Sequence, residues 1–190
     1  MDDWVTEKGT IGDLPRRAKN LWPQAEALVF QDKRWTFTQF EEEVDRAART
    51  LIALGVQPED KIALWLMNSP DWLFTYYGAA RIGAITVPLN TRFRESDIAF
   101  TLQHSNSTTL IQNSTSGPID FLSMTKNLMP KLGDQSLGDP TSEKFPDLKR
   151  IITVSAVKQK PALWWQECLK QAEDIPSTAV EKLAEKVDPN

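Results

Sequence analysis

The stretch from Lys61 to Ile111, KIALWLMNSPDWLFTYYGAARIGAITVPLNTRFRESDIAFTLQHSNSTTLI, admits few folds. It opens on Lys61–Met67, an apolar run rich in Ile, Leu and Trp that reads as a buried strand. Ser69 then offers a hydroxyl to cap a helix, and Pro70 sits in the first turn, where a missing N–H costs nothing. Trp72, Leu73, Tyr76, Tyr77 and Ala80 recur at helical spacing. Gly83 can take the left-handed conformation that ends the helix, Ala84–Val87 forms the next strand, and Pro88 stops its ladder. A second helix over Glu95 to His104 and a strand at Thr109–Ile111 follow. Strand, helix, strand, helix, strand in so short a span describes two crossover units of a parallel sheet, with Lys61–Met67 as its central strand.

The flanks extend this pattern. Asp13 is positioned to cap a first helix, with Pro15 in its first turn, running to Leu21. Ala27–Phe30 and Arg34–Phe37 read as a hairpin around Gln31-Asp32-Lys33. Thr38 and Glu41 form a T-x-x-E capping box for a helix burying Phe40, Val44, Ala47, Ala48 and Leu51 and ending at Gly55. Beyond Ile111 the periodicity weakens. Gln112–Pro118 reads as a loop, Asp120–Met129 as a helix closed by Pro130, and Gly133–Pro146 as a mobile segment rich in Gly, Pro, Ser and Asp. Arg150–Val154 is another strand, Pro161–Ala172 a helix anchored by Trp164, Trp165 and Leu169, and Glu173–Asn190 a short helix leading to a linker. The expected organisation is one α/β subdomain over residues 1–172 and a helical linker over 173–190.

Composition narrows the function classes. A net charge of −4 leaves no basic footprint for nucleic acid. The single cysteine, Cys168, excludes an internal disulfide and reads as a packing residue of a reducing compartment. The acidic start, MDDWVTEKG, is unlike a secretory signal, and no apolar run approaches the roughly 20 residues that span a bilayer, so a cytoplasmic protein is expected. The sequons at Asn106 and Asn113 are accordingly read as chance.

Gly78-Ala79-Ala80-Arg81-Ile82-Gly83-Ala84-Ile85-Thr86-Val87-Pro88-Leu89-Asn90-Thr91-Arg92 resembles a core motif of the AMP-forming adenylating enzymes. That superfamily comprises acyl-CoA synthetases, peptide-synthetase adenylation domains and firefly luciferase. The upstream WTFTQFEEE, Trp35 to Glu43, is similar to its preceding core motif, and the resemblance covers Ile11 to Val187. It implies an α/β fold, a mostly parallel sheet flanked by helices with a small N-terminal hairpin, belonging to the large N-terminal domain of a ligase. The full protein would use ATP, Mg2+ and coenzyme A to turn a carboxylic acid, by resemblance a fatty acid, into acyl-AMP and then acyl-CoA. The family's Ser/Thr/Gly-rich phosphate loop, its ribose-binding acidic motif and its small C-terminal domain are not in this sequence, so the isolated chain is expected to be a catalytically silent scaffold whose partner is the rest of its own synthetase. A cut sheet would expose an edge and favour self-association. Two alternatives stay open: an adenylation domain that loads a carrier protein, and a free-standing truncated interaction module.

Residue by residue, little else carries chemistry. Gly78–Gly83 has the glycine spacing of a phosphate loop, but Ala84 and Ile85 stand where Lys and Ser/Thr belong, and the stretch runs from helix to strand. His104, the only histidine, ends a helix, where a cation suits the dipole. Glu41, Glu42, Glu43 and Asp45 read as a solvated helix start, with Glu42 and Arg46 paired four residues apart. No catalytic residue and no metal site is expected. Asn90, Thr91 and Arg92 follow a parallel strand at its carboxyl end, where ligands of open α/β sheets bind, and Arg92 and Arg94 add charge suited to phosphate. In the resembling synthetases the corresponding loop lies near the nucleotide end of coenzyme A, which makes these three residues candidates for the rim of that site.

Overall fold

The structure, a computed structural model, describes residues 9–188. A 3-10 turn, Ile11–Asp13, leads into α1 (Leu14–Leu21), with Pro15 in its first turn. Asp13 precedes the helix as expected but donates no cap. Its carboxylate accepts from the Thr10 N–H and hydroxyl, both at 3.1 Å, and from Arg16 at 2.7 Å. β1 (Glu26–Phe30) and β2 (Lys33–Thr36) form the antiparallel hairpin, with Gln31 at φ 54° in its turn.

α2 (Phe37–Ala53) starts earlier than the sequence suggests. The capping pair is Thr36 and Gln39: the Gln39 N–H donates to the Thr36 hydroxyl at 3.3 Å, and the Thr36 N–H donates to the Gln39 side chain at 2.9 Å. Thr38 lies inside the helix, and its hydroxyl donates to the Pro23 carbonyl at 2.9 Å. Two threonines in alternate positions compete for the cap, and the one still in extended backbone at the strand end wins.

There follow β3 (Lys61–Trp65), α3 (Pro70–Arg81), β4 (Ile85–Pro88), α4 (Glu95–Ser105) and β5 (Thr109–Asn113). Ser69 caps α3 by accepting from the Trp72 N–H at 3.3 Å, and Gly83 has φ 76°, the left-handed stop. β6 (Thr115–Ser116) and β7 (Ile119–Asp120) form a small hairpin where a loop was expected, and α5 (Phe121–Leu128) runs up to Met129 and Pro130. β8 (Arg150–Val154) is followed by β9 (Leu163–Trp164), α6 (Trp165–Gln171) and α7 (Ser177–Ala184). The helix expected over Pro161–Ala172 therefore begins four residues late. Leu163 and Trp164 pair in parallel with Ile152 and Thr153 instead, and the Thr153 hydroxyl donates to the Leu163 carbonyl at 3.1 Å. A ladder position beside β8 outweighs local helical propensity here.

The chain divides into two compact units. The first holds the residues up to Glu59, Ser69–Ala84 and the residues from Gln171 on. In it α2 and α3 pack so closely that a Cβ on Gly78 would stand 2.8 Å from the Ala48 nitrogen. This is the work of the glycine pair that resembled a phosphate loop: Gly78 permits helix contact and Gly83 ends the helix. Phe74 receives Phe40 and Trp35 edge-on at centroid separations of 5.4 and 5.9 Å.

At the heart of this unit is a buried ion pair. Arg81 Nη1 and Nη2 donate to the two Glu41 carboxylate oxygens at 2.9 and 2.7 Å, and its Nε and Nη2 donate to the Gly12 carbonyl at 3.1 and 3.0 Å. Their side chains are 7% and 10% exposed, so Glu41 is not the solvated acid expected from its neighbours. The pairs on this helix surface are Glu43 with Arg46 at 3.9 Å and Asp45 with Arg49 at 2.8 Å, rather than Glu42 with Arg46. Arg49 also donates to the Ala172 carbonyl at 3.0 Å, fastening the C-terminal segment that carries α7.

The second unit holds Asp60–Asn68 and Ile85–Lys170 and contains the whole five-stranded parallel sheet, in the order β4-β3-β5-β8-β9. β3 is interior, between β4 and β5, but the middle strand is β5. Ala63, Trp65, Leu110 and Ile151 form one core with Ile98 and Leu102 of α4 and Phe121 and Leu122 of α5. The alternate residues Ile62, Leu64, Ile111 and Ile152 are also fully buried, as near-continuous apolar strands of a parallel sheet require. Along β4 the N–H groups of Ile85 and Leu89 donate to Asp60 and Leu64, both at 2.9 Å, so Thr86 and Pro88 present their backbone to the open side. Residues 133–146 hold no helix or strand, yet Gly138 accepts from the Ile151 N–H at 2.8 Å and donates to the Pro161 carbonyl at 2.9 Å, and Phe145 is buried. No helix among the described residues is long and apolar enough to cross a membrane.

Arg81→Met alone, which strands a buried carboxylate, should lower unfolding stability by about 3–5 kcal/mol. Adding Glu41→Met should restore more than half of that loss. Urea denaturation of the two variants checks this, and equal losses would show that the charges are not what couples them.

Candidate functional site

All strands of the sheet end at one edge. There Pro88 closes β4 and the chain turns through Leu89, Asn90, Thr91 and Arg92 before α4. The turn is fixed by its own groups. The Asn90 side-chain oxygen accepts from the Arg92 N–H at 2.9 Å, and the Asn90 carbonyl accepts from the Phe93 N–H at 3.0 Å. The Trp65 indole N–H reaches the same carbonyl at 3.2 Å, tying the turn to the end of β3. Trp65 is fully buried and edge-on to Phe121 at 4.5 Å, so the anchor is rigid. Asn90 thus serves the backbone of its turn. Thr91 is half-buried, Arg92 and Arg94 are exposed, and neither arginine pairs with a carboxylate among the described residues. The Arg94 N–H caps α4 by donating to Asp97 at 2.9 Å, which leaves its guanidinium to solvent.

Asn113, noticed in the sequence only as a sequon, braces the same edge. Its side-chain oxygen accepts from the Met67 N–H at 2.7 Å, and its nitrogen donates to the Val154 carbonyl at 3.4 Å. One amide at the end of β5 thereby links the ends of β3 and β8. Beyond β8, the Ser155 carbonyl accepts from the Trp164 indole N–H at 3.0 Å, and Lys158 pairs with Glu167 at 2.6 Å.

The chemistry available at this edge is recognition of anionic groups by exposed guanidinium on a rigid turn. Two arginines beside backbone held in a tight turn suit phosphate oxygens, so the residues present fit the nucleotide end of a phosphorylated cofactor. No group of three or more His, Cys, Asp or Glu residues stands close enough to hold a metal among the described residues. His104 is exposed, with its Nδ1 3.0 Å from the Phe100 carbonyl and its ring stacked on Phe100 at 3.8 Å. Cys168 is buried, and burial, assisted by Glu167, pushes its thiol up to about 11.

A five-stranded parallel sheet with crossover helices and a small antiparallel hairpin defines the class as an α/β fold. Comparison with known proteins makes this specific. The chain belongs to the AMP-binding enzyme family, whose model matches residues 15–189. It is 29% identical over 149 residues, 77% of its length, to the mitochondrial medium-chain acyl-CoA ligase ACSF2 of Rattus norvegicus, covering 24% of that protein. It is 35% identical over 111 residues, 57% of its length, to the long-chain-fatty-acid–CoA ligase FadD13 of Mycobacterium tuberculosis, covering 22% of that protein. Among solved structures, the N-terminal domain of FACL13 from Mycobacterium tuberculosis superposes with a TM-score of 0.67 over 89% of this chain and 36% of the other, at 23% identity, a likeness of fold. The chain spans about a quarter to a third of the length of the curated relatives it matches.

At about pH 8 a thiol of pKa near 11 is thiolate in roughly one molecule per thousand. Alkylation of Cys168 by iodoacetamide should therefore be at least about a hundredfold slower in the folded chain than in urea. Comparable rates in the two states, followed by mass spectrometry, would mark Cys168 as an accessible thiol.

Proposed function

We propose that this chain is the N-terminal portion of a cytoplasmic, ATP-dependent acid–CoA ligase. That enzyme activates a carboxylic acid, of the fatty type, as acyl-AMP and transfers the acyl group to coenzyme A, using ATP, Mg2+ and coenzyme A in the complete protein. The family match over residues 15–189 supports the reaction class, and the acyl-CoA ligases among the relatives support the acceptor. The observation that carries the local reading is the turn itself, held by Asn90 and Trp65, with Arg92 exposed on it. In this reading Asn90, Thr91 and Arg92 form part of the rim that receives the nucleotide end of coenzyme A. Arg92 supplies the cation, Asn90 keeps the turn rigid, and Thr91 offers a hydroxyl.

Within the 190-residue chain these residues bind and position; they transfer nothing. Adenylation requires firm placement of a triphosphate and stabilisation of charge at the transferring phosphorus. The sequence holds no glycine-rich loop with a following lysine to do either. The role assigned to this part is the sheet layer on which a site of the larger enzyme is supported.

Two measurements test the reading. In the complete ligase, Arg92→Ala should raise the KM for coenzyme A about tenfold, the scale of one charge-assisted hydrogen bond, and leave the KM for ATP unchanged. Equal changes in both, or none, would remove Arg92 from the rim. The 190-residue chain alone should bind Mg-ATP more weakly than about 1 mM in calorimetric titration and release no pyrophosphate with any carboxylic acid. Acid-dependent pyrophosphate release would show that it carries a complete adenylation site.

A further inference from the structure

α3 is apolar on more than one side. Phe74 and Gly78 are buried where the helix meets α2. Trp72, Leu73, Tyr76, Tyr77 and Ala80, whose helical spacing marks an interior stripe, fall around the rest of the helix and are only half-buried. The charged residues of α3 are Asp71 in its first turn and Arg81, which is buried on Glu41. The stripe itself carries no charge. A helix that is apolar all round belongs to the interior of a larger body.

The half-buried side is preformed. Trp72 stacks on Tyr76 at 5.1 Å, and Tyr76 meets Tyr77 edge-on at 5.3 Å. Leu73 and Tyr77 continue it into a groove of about 380 Å³ shared with Leu14 and Trp22, at the two ends of α1 and each 43% exposed. Tryptophan and tyrosine held by their neighbours anchor protein interfaces well, because little side-chain freedom is left to lose.

Shape and charge select the occupant. From Trp72 to Ala80 the stripe runs about 12 Å, a little over two helical turns. That is a ledge for a packed helix or strand rather than a cleft for a small molecule. The stripe holds no lysine or arginine, which an anionic lipid surface or a nucleic acid would call for. An apolar element of protein remains, and the chain's own continuation is placed to supply it. α7 packs on α2 and α3, and Val187 stands beside the end of α3, 3.2 Å from where a Cβ on Gly83 would lie. In the proposed ligase the residues that follow therefore start next to the stripe. A chain that spans about a quarter to a third of its curated relatives leaves ample length to fold back onto it.

We infer that in the complete ligase the stripe of Trp72, Leu73, Tyr76, Tyr77 and Ala80 is the docking face for an apolar helix or strand of the chain that follows Asn190. The inference rests on the ligase reading for the existence of that chain, and on the burial pattern of α3 for the place.

Thiol labelling tests it. Ala80→Cys changes the side chain little and puts a thiol on the stripe. A maleimide should label it readily in the 190-residue chain. In the complete ligase, labelling of the same peptide, followed by mass spectrometry, should be at least about a hundredfold slower, since a packed site reacts only when it opens. Phe100→Cys, at a position 59% exposed on α4, should label equally in both proteins. Ala80→Lys is the second probe. A lysine in the last turn of α3 suits the helix dipole and reaches water in the 190-residue chain, whose melting temperature should not fall. In the complete ligase it becomes a buried, unpaired charge, and the melting temperature should drop by at least about 4 °C. A complete ligase that no longer folds with this substitution, while the shorter variant does, is the same result in stronger form. Equal labelling of Ala80→Cys in the two proteins, in a complete ligase that is active, would overturn the docking face and leave the ligase reading intact. Protection that is lost on dilution would give the face to a second copy and overturn the assignment as well. Protection in a complete protein without acid–CoA ligase activity would uphold the docking face and remove the reading. A coding sequence that ends at Asn190 would overturn both.

Discussion

A guanidinium group cannot sit in an apolar interior without a partner, and the first unit is built around meeting that demand. Arg81 comes from the end of α3, Glu41 from the first turns of α2 and the Gly12 carbonyl from the 3-10 turn before α1. Each is useless to the others until all three segments are in place, because desolvating any one of these groups alone costs several kcal/mol. The glycine at position 78 serves the same end by letting α2 and α3 approach closely one turn earlier. The motif that resembles the adenylating enzymes therefore has a physical content in this chain. Its glycines set backbone spacing and helix termination, and the first of its two arginines, Arg81, is a structural cation.

The second unit solves a different problem. Parallel strands need crossovers, and every crossover returns the chain to the same side, so the loops that leave the carboxyl ends gather at one edge. That edge is rigid here for particular reasons. Trp65 is locked against Phe121 and holds Asn90, while Asn113 spans from Met67 to Val154. A turn braced in this way presents Arg92 from a fixed backbone, and the side chain alone remains free to adapt. This division suits a site whose ligand arrives with several phosphate oxygens in variable orientation.

What the sequence disclosed follows from how local each cause is. Ser69, Pro70 and Gly83 act within a few residues of themselves, and the helix they bound was legible. β8 announced itself by consecutive β-branched residues, Ile151 to Val154, and the Asn90–Arg92 turn by a strand ending in proline. Where the deciding partner is distant, the reading went astray. Glu41 looked solvated among its acidic neighbours because nothing nearby signals Arg81, 40 positions away. Leu163 and Trp164 looked helical because the strand that captures them lies ten residues upstream. Asn113 carries no local mark of its bracing role. The cap of α2 was a near miss of another kind, two threonines with similar credentials and only one in extended backbone.

The outward side of β4 bears on how such a sheet lives in solution. Ile85 and Leu89 spend their N–H groups on β3, which leaves Thr86 and Pro88 facing out, and proline has no N–H to give. A neighbouring strand that tried to use this flank as a template would find one donor where a regular ladder offers two. The proline that ends the strand in the sequence thus also makes its flank a poor seed for polymerisation.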